Sequence, residues 1–232
     1  MNIVITGASQ GIGYAIAEVF AGAGYTLLLA SKTPANIQKA SSELQAKFPK
    51  ATIHSMAADL ADPIICTQFA DWCLSYGQPS ILVNNAGYFL PGTICHEEAG
   101  VLEAQLAANL FSAYHVTRGI VPAMIQAGKG HIFNICSIAS LQAYAQGGSY
   151  SISKFALLGF SKNLREELKD KGVKVTAVCP GAVFTNSWSG SGVDPKRIME
   201  ASDIAQMIFA SAHLSSQAVV EDIVMRPQLG DL

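Results

Sequence analysis

The segment Thr6-Gly7-Ala8-Ser9-Gln10-Gly11-Ile12-Gly13 follows the apolar run Asn2–Thr6 and opens a stretch of helical spacing at residues 12–23. The apolar run predicts a buried strand, and the glycines predict a tight turn into a helix. Glycines at such a turn let the backbone approach a pyrophosphate, which the free N–H groups of the helix start attract. The segment therefore predicts a dinucleotide site, with a turn that binds nothing as the alternative.

Strand and helix patterns alternate along the rest of the chain. Strands are predicted at Asn2–Thr6 and at residues 25–30, 51–56, 81–84, 131–136, 173–178 and 219–225. Helices are predicted at residues 12–23, 37–48, 64–76, 101–125, 150–168 and 202–214. Because parallel strands need helical crossovers, the alternation predicts a doubly wound α/β sheet of seven mainly parallel strands, with helices on both faces. The long irregular stretch at residues 181–201 follows a strand end and is a candidate substrate lid.

Composition limits the class of protein. The 232 residues are 50% hydrophobic and 14% charged, which suits one domain over residues 1–232. A formal charge of -2 argues against nucleic acid or an anionic membrane as partner, and no apolar run is long enough to span a bilayer. The five cysteines have no C-x-x-C spacing and the five histidines no ligand spacing, so we expect a reducing cytoplasm and no metal.

The ends of the second, third and fourth predicted strands bear on the choice of cofactor. Ser31-Lys32 stands near where a site for NAD would carry an acidic residue, and a hydroxyl followed by a lysine suits a 2′-phosphate. The pair therefore favours NADP, unless Lys32 is merely solvated. Asp59 could accept a hydrogen bond from an adenine amino group or serve as a turn residue. In the run Asn84–Gly87, the glycine allows close backbone approach and the asparagines can tie neighbouring loops together.

The pair Tyr150 and Lys154 opens a predicted helix with i, i+4 spacing, which places phenol and ammonium on one face. A neighbouring cation lowers a phenol pKa towards the range useful for acid–base work, so Tyr150 is a candidate proton donor. Ser137, at the end of the preceding strand, could share a substrate carbonyl oxygen. Asn109 lies within a predicted helix, where its side chain competes with the backbone, and this invites a functional explanation.

These motifs, in this order and with Pro180-Gly181 after the sixth strand, resemble the short-chain dehydrogenase/reductase family over essentially the whole chain. The resemblance implies that Asn109, Ser137, Tyr150 and Lys154 form a catalytic tetrad. It also implies that Lys154 binds the nicotinamide ribose, that Asn109 holds a water in a proton relay, and that Thr185 contacts the nicotinamide end. Gln10 stands where many NADP-preferring members carry a second basic residue. The predicted cofactor contacts are Gly7, Ser9, Gln10, Gly11, Ile12, Gly13, Ser31, Lys32, Asp59, Leu60, Asn85, Ala86, Gly87, Tyr150, Lys154, Pro180, Gly181, Val183 and Thr185.

Residues 180–188 and 219–231 are similar to bacterial sepiapterin reductase-like members of that family. Trp188, in the predicted lid, could stack on a flat substrate or simply close the lid by hydrophobic contact. Asp231 could accept the paired donors of a pterin edge, although a frayed terminus is the favoured expectation. Ser137, Tyr150 and Trp188 are thus the predicted substrate contacts.

The sequence therefore predicts an oxidoreductase that reduces a ketone or aldehyde with NADPH, with sepiapterin or a diketone as possible substrate types. Two alternatives stay open: an NAD-dependent alcohol or sugar dehydrogenase, and a protein that senses NADP without catalysis. The helices at residues 101–125 and 150–168 carry many apolar residues, and the matching helices of the family build dimers or tetramers. We therefore expect a homodimer or homotetramer.

Overall fold

The computed structural model describes residues 1–185, 188, 190 and 192–232. Its sheet has seven parallel strands in the order β3-β2-β1-β4-β5-β6-β7. The strands are β1 Asn2–Thr6, β2 Thr26–Ser31, β3 Ile53–Ala57, β4 Pro79–Asn84, β5 Gly130–Ile135, β6 Val173–Pro180 and β7 Asp222–Met225. The predicted doubly wound sheet is confirmed, and the strand order reverses between β1 and β4, where such folds bind ligands.

Seven α-helices among the described residues connect and cover the strands. They are α1 Gly11–Gly22, α2 Pro34–Lys47, α3 Pro63–Ser75, α4 Val101–Leu106, α5 Ser112–Gln126, α6 Gly148–Leu168 and α7 Ala201–Ala212. The single helix predicted over residues 101–125 is interrupted, because the π-helical turn Ala107–Phe111 separates α4 from α5. None of the helices in the described ranges is both long and apolar enough to cross a membrane.

Alternation of side chains along the strands creates a core on each face of the sheet. In β1, Ile3 and Ile5 face α1, α2 and α7, whereas Val4 faces α3, α5 and α6. All three are fully buried. Both faces of a parallel sheet are covered in this way, which explains why the strands read as nearly continuous apolar runs. Because all seven strands are parallel, their carboxyl ends lie at the same edge of the sheet, and the predicted site residues follow these ends.

Candidate active site

The glycine turn after β1 is built so closely that side chains are excluded. Gly7 and Gly11 have φ angles of 64° and 58°, in the left-handed region that glycine adopts without strain. A Cβ on Gly13 would lie 2.4 Å from the Gly7 carbonyl oxygen. Ser9 and Gln10 complete the turn, and Gly11, Ile12 and Gly13 form the first residues of α1. The first N–H groups of a helix have no acceptor within the helix, so this cradle suits the pyrophosphate of a dinucleotide.

The loop after β4 is tied directly to this turn. The Thr6 Oγ1 atom accepts hydrogen bonds of 2.9 Å from the N–H groups of both Asn85 and Ala86. Asn85 Nδ2 in turn donates to the carbonyl oxygens of Thr6 and Gly7, at 3.0 Å each. A Cβ on Gly87 would lie 2.5 Å from Asn109 Oδ1, so this position also needs glycine. These hydrogen bonds hold the glycine turn against the loop that follows β4.

At the end of β2, the hydroxyls of Ser9 and Ser31 lie 2.9 Å apart. Beside them, Lys32 Nζ lies 2.9 Å from Asp59 Oδ2, with 75% and 45% of these side chains exposed. The hydrogen bond and charge of Asp59 raise the pKa of Lys32, and Lys32 lowers the pKa of the Asp59 carboxyl. The two predicted cofactor contacts are thus paired with each other. The adjacent Leu60 side chain is buried in the core, which leaves its backbone for any cofactor contact.

The π-helical turn contains Asn109 and turns its side chain inward, where it is 1% exposed. Asn109 Oδ1 accepts a hydrogen bond from the Tyr88 N–H at 2.9 Å, and Nδ2 donates to the Tyr88 carbonyl at 3.2 Å. The same Nδ2 donates to Ser153 Oγ at 2.9 Å. Ser153 Oγ donates to the Tyr150 carbonyl at 2.7 Å, so Asn109 is connected to the helix that carries Tyr150. Its proposed part in a proton relay stays a prediction.

Ser137 is held in place by a short 3₁₀ turn at the end of β5. Its Oγ accepts a hydrogen bond from the Ala139 N–H, and its own N–H donates to Ser140 Oγ, both at 3.1 Å. Ser151 Oγ donates to the Ala139 carbonyl at 2.9 Å, which ties this turn to α6. The turn that carries Ser137 is therefore fixed to α6, and the Ser137 side chain lowers the pKa of the Tyr150 phenol.

Tyr150 and Lys154 lie on α6, and their polar ends have different surroundings. Lys154, which is 7% exposed, donates from Nζ to the Ile135 carbonyl at 2.7 Å. Its Nζ lies 5.8 Å from the centre of the Tyr150 ring. Burial lowers the pKa of the Lys154 ammonium. Burial likewise raises the pKa of the Tyr150 phenol, and the hydrogen bond to Ser137 opposes this rise. The expectation that Lys154 lowers the pKa of Tyr150 is wrong, because the pKa of the phenol is raised and burial is the largest cause.

Backbone hydrogen bonds anchor both ends of the predicted lid. Pro180 ends β6, the Gly181 N–H donates to the Met225 carbonyl at 2.7 Å, and Val183 forms a parallel bridge with Met199. A Cβ on Gly11 would lie 3.1 Å from Thr185 Cγ2, so Thr185 lies against the glycine turn. The half-buried Trp188 donates its N–H to the Thr185 carbonyl at 2.9 Å. Residues 186, 187, 189 and 191, which fall in the predicted lid, lie outside the described residues.

The expectation of a frayed terminus at Asp231 is wrong. Arg226 forms an ion pair with the Asp231 carboxylate, and the Arg197 guanidinium donates to the carbonyls of Leu229, Gly230 and Asp231. A Cβ on Gly181 would lie 3.2 Å from Asp231 Oδ1. The tail is therefore fastened beside the end of β6. Its carboxylate is already neutralised by arginine, which leaves it less suited to a pterin edge.

Sequence reasoning missed several residues in the loop between β4 and α4. The Phe89 and Tyr150 rings meet edge to face, with centroids 4.8 Å apart. Glu97 Oε1 accepts a hydrogen bond from the Ser149 N–H at 2.9 Å, and its carboxylate also accepts from the Ser149 hydroxyl. A carboxylate at the start of α6 is favoured by the helix dipole. The run Tyr88-Phe89-Leu90 was a usable signal, because three large apolar residues follow the strand-end glycine in a row, and each keeps more than 40% of its surface exposed.

Comparison with known proteins identifies the family. The short chain dehydrogenase profile matches residues 1–194. The sepiapterin reductase of Chlorobaculum tepidum is 31% identical, over 99% of this chain and 97% of its own. A metagenomic short-chain oxidoreductase solved with NADP is 31% identical with a TM-score of 0.85, over 98% of this chain and 97% of its own. The L-sorbose reductase of Gluconobacter frateurii, solved with NADPH and L-sorbose, has a TM-score of 0.88 at 28% identity, over 96% and 94% of the two chains. This chain is therefore an oxidoreductase of the short-chain dehydrogenase family.

Proposed function

We propose that this chain reduces a ketone or aldehyde carbonyl with NADPH. The observation that carries the proposal is that Tyr150 and the buried Lys154 lie together on α6, while a short turn holds Ser137 at the end of β5. All three lie at the same end of the sheet as the glycine turn. The relatives solved with NADP or NADPH support the choice of cofactor. Substrates of the sepiapterin or diketone type are the first to test, since a sepiapterin reductase is among the relatives.

The glycine turn and the start of α1 would hold the pyrophosphate, and Ser9, Ser31 and Lys32 would hold a 2′-phosphate. When bound, the dihydronicotinamide supplies a hydride to the carbonyl carbon. Tyr150 then donates its phenolic proton to the carbonyl oxygen, which becomes the alcohol. Ser137 orients that oxygen by a hydrogen bond. The raised pKa of Tyr150 keeps the phenol protonated at neutral pH, which suits an acid in the direction of reduction.

A second candidate is NAD-dependent oxidation of an alcohol or sugar. One observation favours it: the Lys32 ammonium is already paired with Asp59, and this weakens its pull on a 2′-phosphate. The third candidate, a cofactor sensor without catalysis, has no need for Tyr150 and Ser137 together. Incubating the protein with NADPH and a panel of ketones, diketones and pterins separates these candidates. We expect carbonyl-dependent loss of absorbance at the NADPH band, whereas tight NADPH binding without any turnover would support the sensor.

We also propose that the chain self-associates through the outer face of α5 and α6. A groove of about 390 Å³ lies on this face, lined by Leu110, Phe111, Tyr114, His115, Ala156 and Phe160. Phe111, Tyr114 and the neighbouring Phe155 keep 40% or more of their surface exposed. Covering these rings with a second copy is the simplest way to bury them, and a homodimer or homotetramer follows. All five cysteines are free thiols, which supports the proposed location in a reducing cytoplasm.

A further inference from the structure

The helix α6 begins without a side-chain cap from its own flanking residue. That residue is Gly147, which offers no oxygen to the first N–H groups of the helix. Glu97 supplies the cap from the loop between β4 and α4, because its carboxylate accepts hydrogen bonds from both the N–H and the hydroxyl of Ser149. Ser149 is 1% exposed and directly precedes Tyr150. A residue 52 positions away in sequence thus holds the start of the helix that carries the proposed proton donor.

The backbone around Ser149 leaves room for the Glu97 carboxylate. A Cβ on Gly148 would collide with Glu97 Oε1, and a Cβ on Gly92 would lie 2.8 Å from the same oxygen. The Gly92 N–H also donates to the Gln146 carbonyl at 3.0 Å, which fastens the loop to the residues before α6. Gln146 has a φ of 61°, in the left-handed region, and such strained residues persist where their surroundings hold them. Two segments are therefore shaped around one carboxylate.

The loop that contains Glu97 also covers Tyr150. The Phe89 and Tyr150 rings meet edge to face, with centroids 4.8 Å apart. The fully buried Gln105 donates from Nε2 to the Leu90 carbonyl at 3.3 Å, which anchors the loop to α4. Glu97 adds a direct link between this loop and the first turn of α6. Without that link, the loop and the start of the helix are free to separate beside Tyr150.

We propose that Glu97 is a positioning residue for carbonyl reduction, which joins the loop at Phe89 to the first turn of α6 and so holds Tyr150 in its half-buried position. The inference rests on the proposed function, in which the Tyr150 phenol donates the proton. Glu97 does not transfer a proton itself, so its loss slows the chemical step and does not remove the acid. Lys154 lies one turn farther along α6 and is tied separately to the Ile135 carbonyl, so NADPH binding is spared.

Three substitutions at Glu97 separate the reach of its side chain from its charge. Glu97→Ala removes both, Glu97→Gln keeps an oxygen that can accept from the Ser149 N–H, and Glu97→Asp keeps the charge on a side chain one methylene shorter. With saturating NADPH and 2,3-butanedione, or the fastest carbonyl of the panel, we expect kcat to fall roughly 10- to 30-fold in Glu97→Ala and nearly as much in Glu97→Asp. Glu97→Gln should stay within about 3-fold of the unmodified protein, and NADPH affinity within about 2-fold in all three.

Gln45→Ala is the matched control for a lost contact at a helix end. Gln45 Nε2 donates to the carbonyls of Phe48, Pro49 and Ala51 where α2 ends, at the opposite edge of the sheet from the glycine turn. Both Gln45→Ala and Glu97→Ala should lower the midpoint of thermal unfolding by about 2–4 °C. We expect only Glu97→Ala to lose turnover.

The pH profile is a readout that a merely structural role would not move. Burial raises the pKa of the Tyr150 phenol, and water admitted by a loosened loop should lower it. The rate in Glu97→Ala should therefore begin to fall at a lower alkaline pH than in the unmodified protein. Loss of the carboxylate charge would move this pKa in the same direction, so Glu97→Gln, which should keep the original profile, separates the two causes. Cys136, Tyr144 and Lys154, which also neighbour the phenol, remain in every variant.

An unchanged turnover and pH profile in Glu97→Ala would overturn the proposal and leave Glu97 only a stabilising contact. So would an equal loss of turnover in Gln45→Ala, or a loss in Glu97→Gln as large as that in Glu97→Ala, which would assign the effect to charge. Absence of carbonyl turnover in unmodified protein that binds NADPH contradicts the proposed reduction itself. Amide hydrogen exchange of the NADPH complex then still tests the positioning. Residues 88–92 and 146–152 should exchange faster in Glu97→Ala than in Glu97→Gln, and equal exchange would overturn it.

Discussion

The Asn109 side chain holds the Tyr88 backbone at both polar groups, accepting from its N–H at 2.9 Å and donating to its carbonyl at 3.2 Å. This contact fixes the loop that presents Phe89 to Tyr150. Through Ser153, the same amide also reaches the Tyr150 carbonyl. The π-helical turn around Asn109 therefore positions both the loop at Phe89 and the helix that carries Tyr150. Such turns often occur at functional sites.

Replacing Asn109 by alanine removes the hold on Tyr88 and the bond to Ser153 together. We expect kcat/KM to fall roughly 10- to 100-fold, because small displacements of reacting groups are costly, and unfolding free energy to fall by about 1–3 kcal/mol. Urea denaturation and steady-state kinetics measure the two effects. Ser153→Ala, which breaks the link to α6 but leaves the hold on Tyr88, should show a smaller loss. Equal losses in the two variants would place the whole effect on Ser153.

The pH dependence of reduction should follow the Tyr150 phenol. Its pKa is raised by burial, so the protonated acid persists through neutral pH and is lost only as pH rises through that pKa. The rate of reduction is then flat at neutral pH and falls at alkaline pH. Ser137→Ala removes the hydrogen bond that lowers this pKa, so the alkaline fall should move to higher pH as the rate drops.

Ser75→Ala is the control for this pH effect, because the exposed Ser75 hydroxyl donates to the Trp72 carbonyl at the end of α3 and not to the phenol. Its profile should keep the alkaline fall at the original pH. A fall that moves to lower pH in Ser137→Ala would show that Ser137 does not stabilise the phenolate, and that the titrating acid is another group.

Lys32 and Asp59 give opposite predictions for cofactor affinity. Lys32→Ala should weaken NADPH binding by roughly 10-fold and leave NADH unchanged, because only the former carries a 2′-phosphate. Asp59→Asn removes the competing carboxylate and should strengthen NADPH binding. Titration calorimetry measures both, with Lys39→Ala as an exposed-lysine control. An unchanged NADPH-to-NADH ratio in Lys32→Ala would remove the argument for a 2′-phosphate site.

The exposed rings on α5 and α6 predict the oligomeric state. Phe111→Glu places a charge in the apolar groove and should convert the dimer or tetramer to a monomer of 24.5 kDa in sedimentation velocity. Ile64→Glu, at a 66% exposed position on α3, should leave the oligomer intact. A protein that sediments as a monomer without any substitution would show that this face has another use.

The fold could be predicted from local pattern, because the buried parallel strands and the amphipathic helices each leave a periodic signal. The glycine turn and the pair Tyr150 and Lys154 could also be found, since their chemistry depends on short fixed spacings. Contacts between segments that are distant in sequence could not be predicted in this way. The ion pair of Lys32 and Asp59, the capping of α6 by Glu97 and the anchoring of Asp231 each join residues that only the sheet brings together.

The pKa of Tyr150 is another property that the local sequence pattern could not predict. The spacing within α6 predicted that Lys154 would lower this pKa, whereas burial raises it. Burial depends on the loop at Phe89 and on the turn at Ser137, and neither can be located from the spacing within α6. The interrupted helix is a similar case, because the polar residue Asn109 was visible in the sequence but the π-helical turn that it occupies was not.

The most direct test of the account is the rate of carbonyl-dependent NADPH oxidation by Tyr150→Phe, measured beside its affinity for NADPH. Phenylalanine keeps the ring that contacts Phe89 and removes only the hydroxyl. We predict a fall in turnover of at least ~100-fold with NADPH affinity within about 2-fold of the unmodified protein. Turnover within a few-fold of the original would contradict the assignment of Tyr150 as the proton donor, and the proposed mechanism with it.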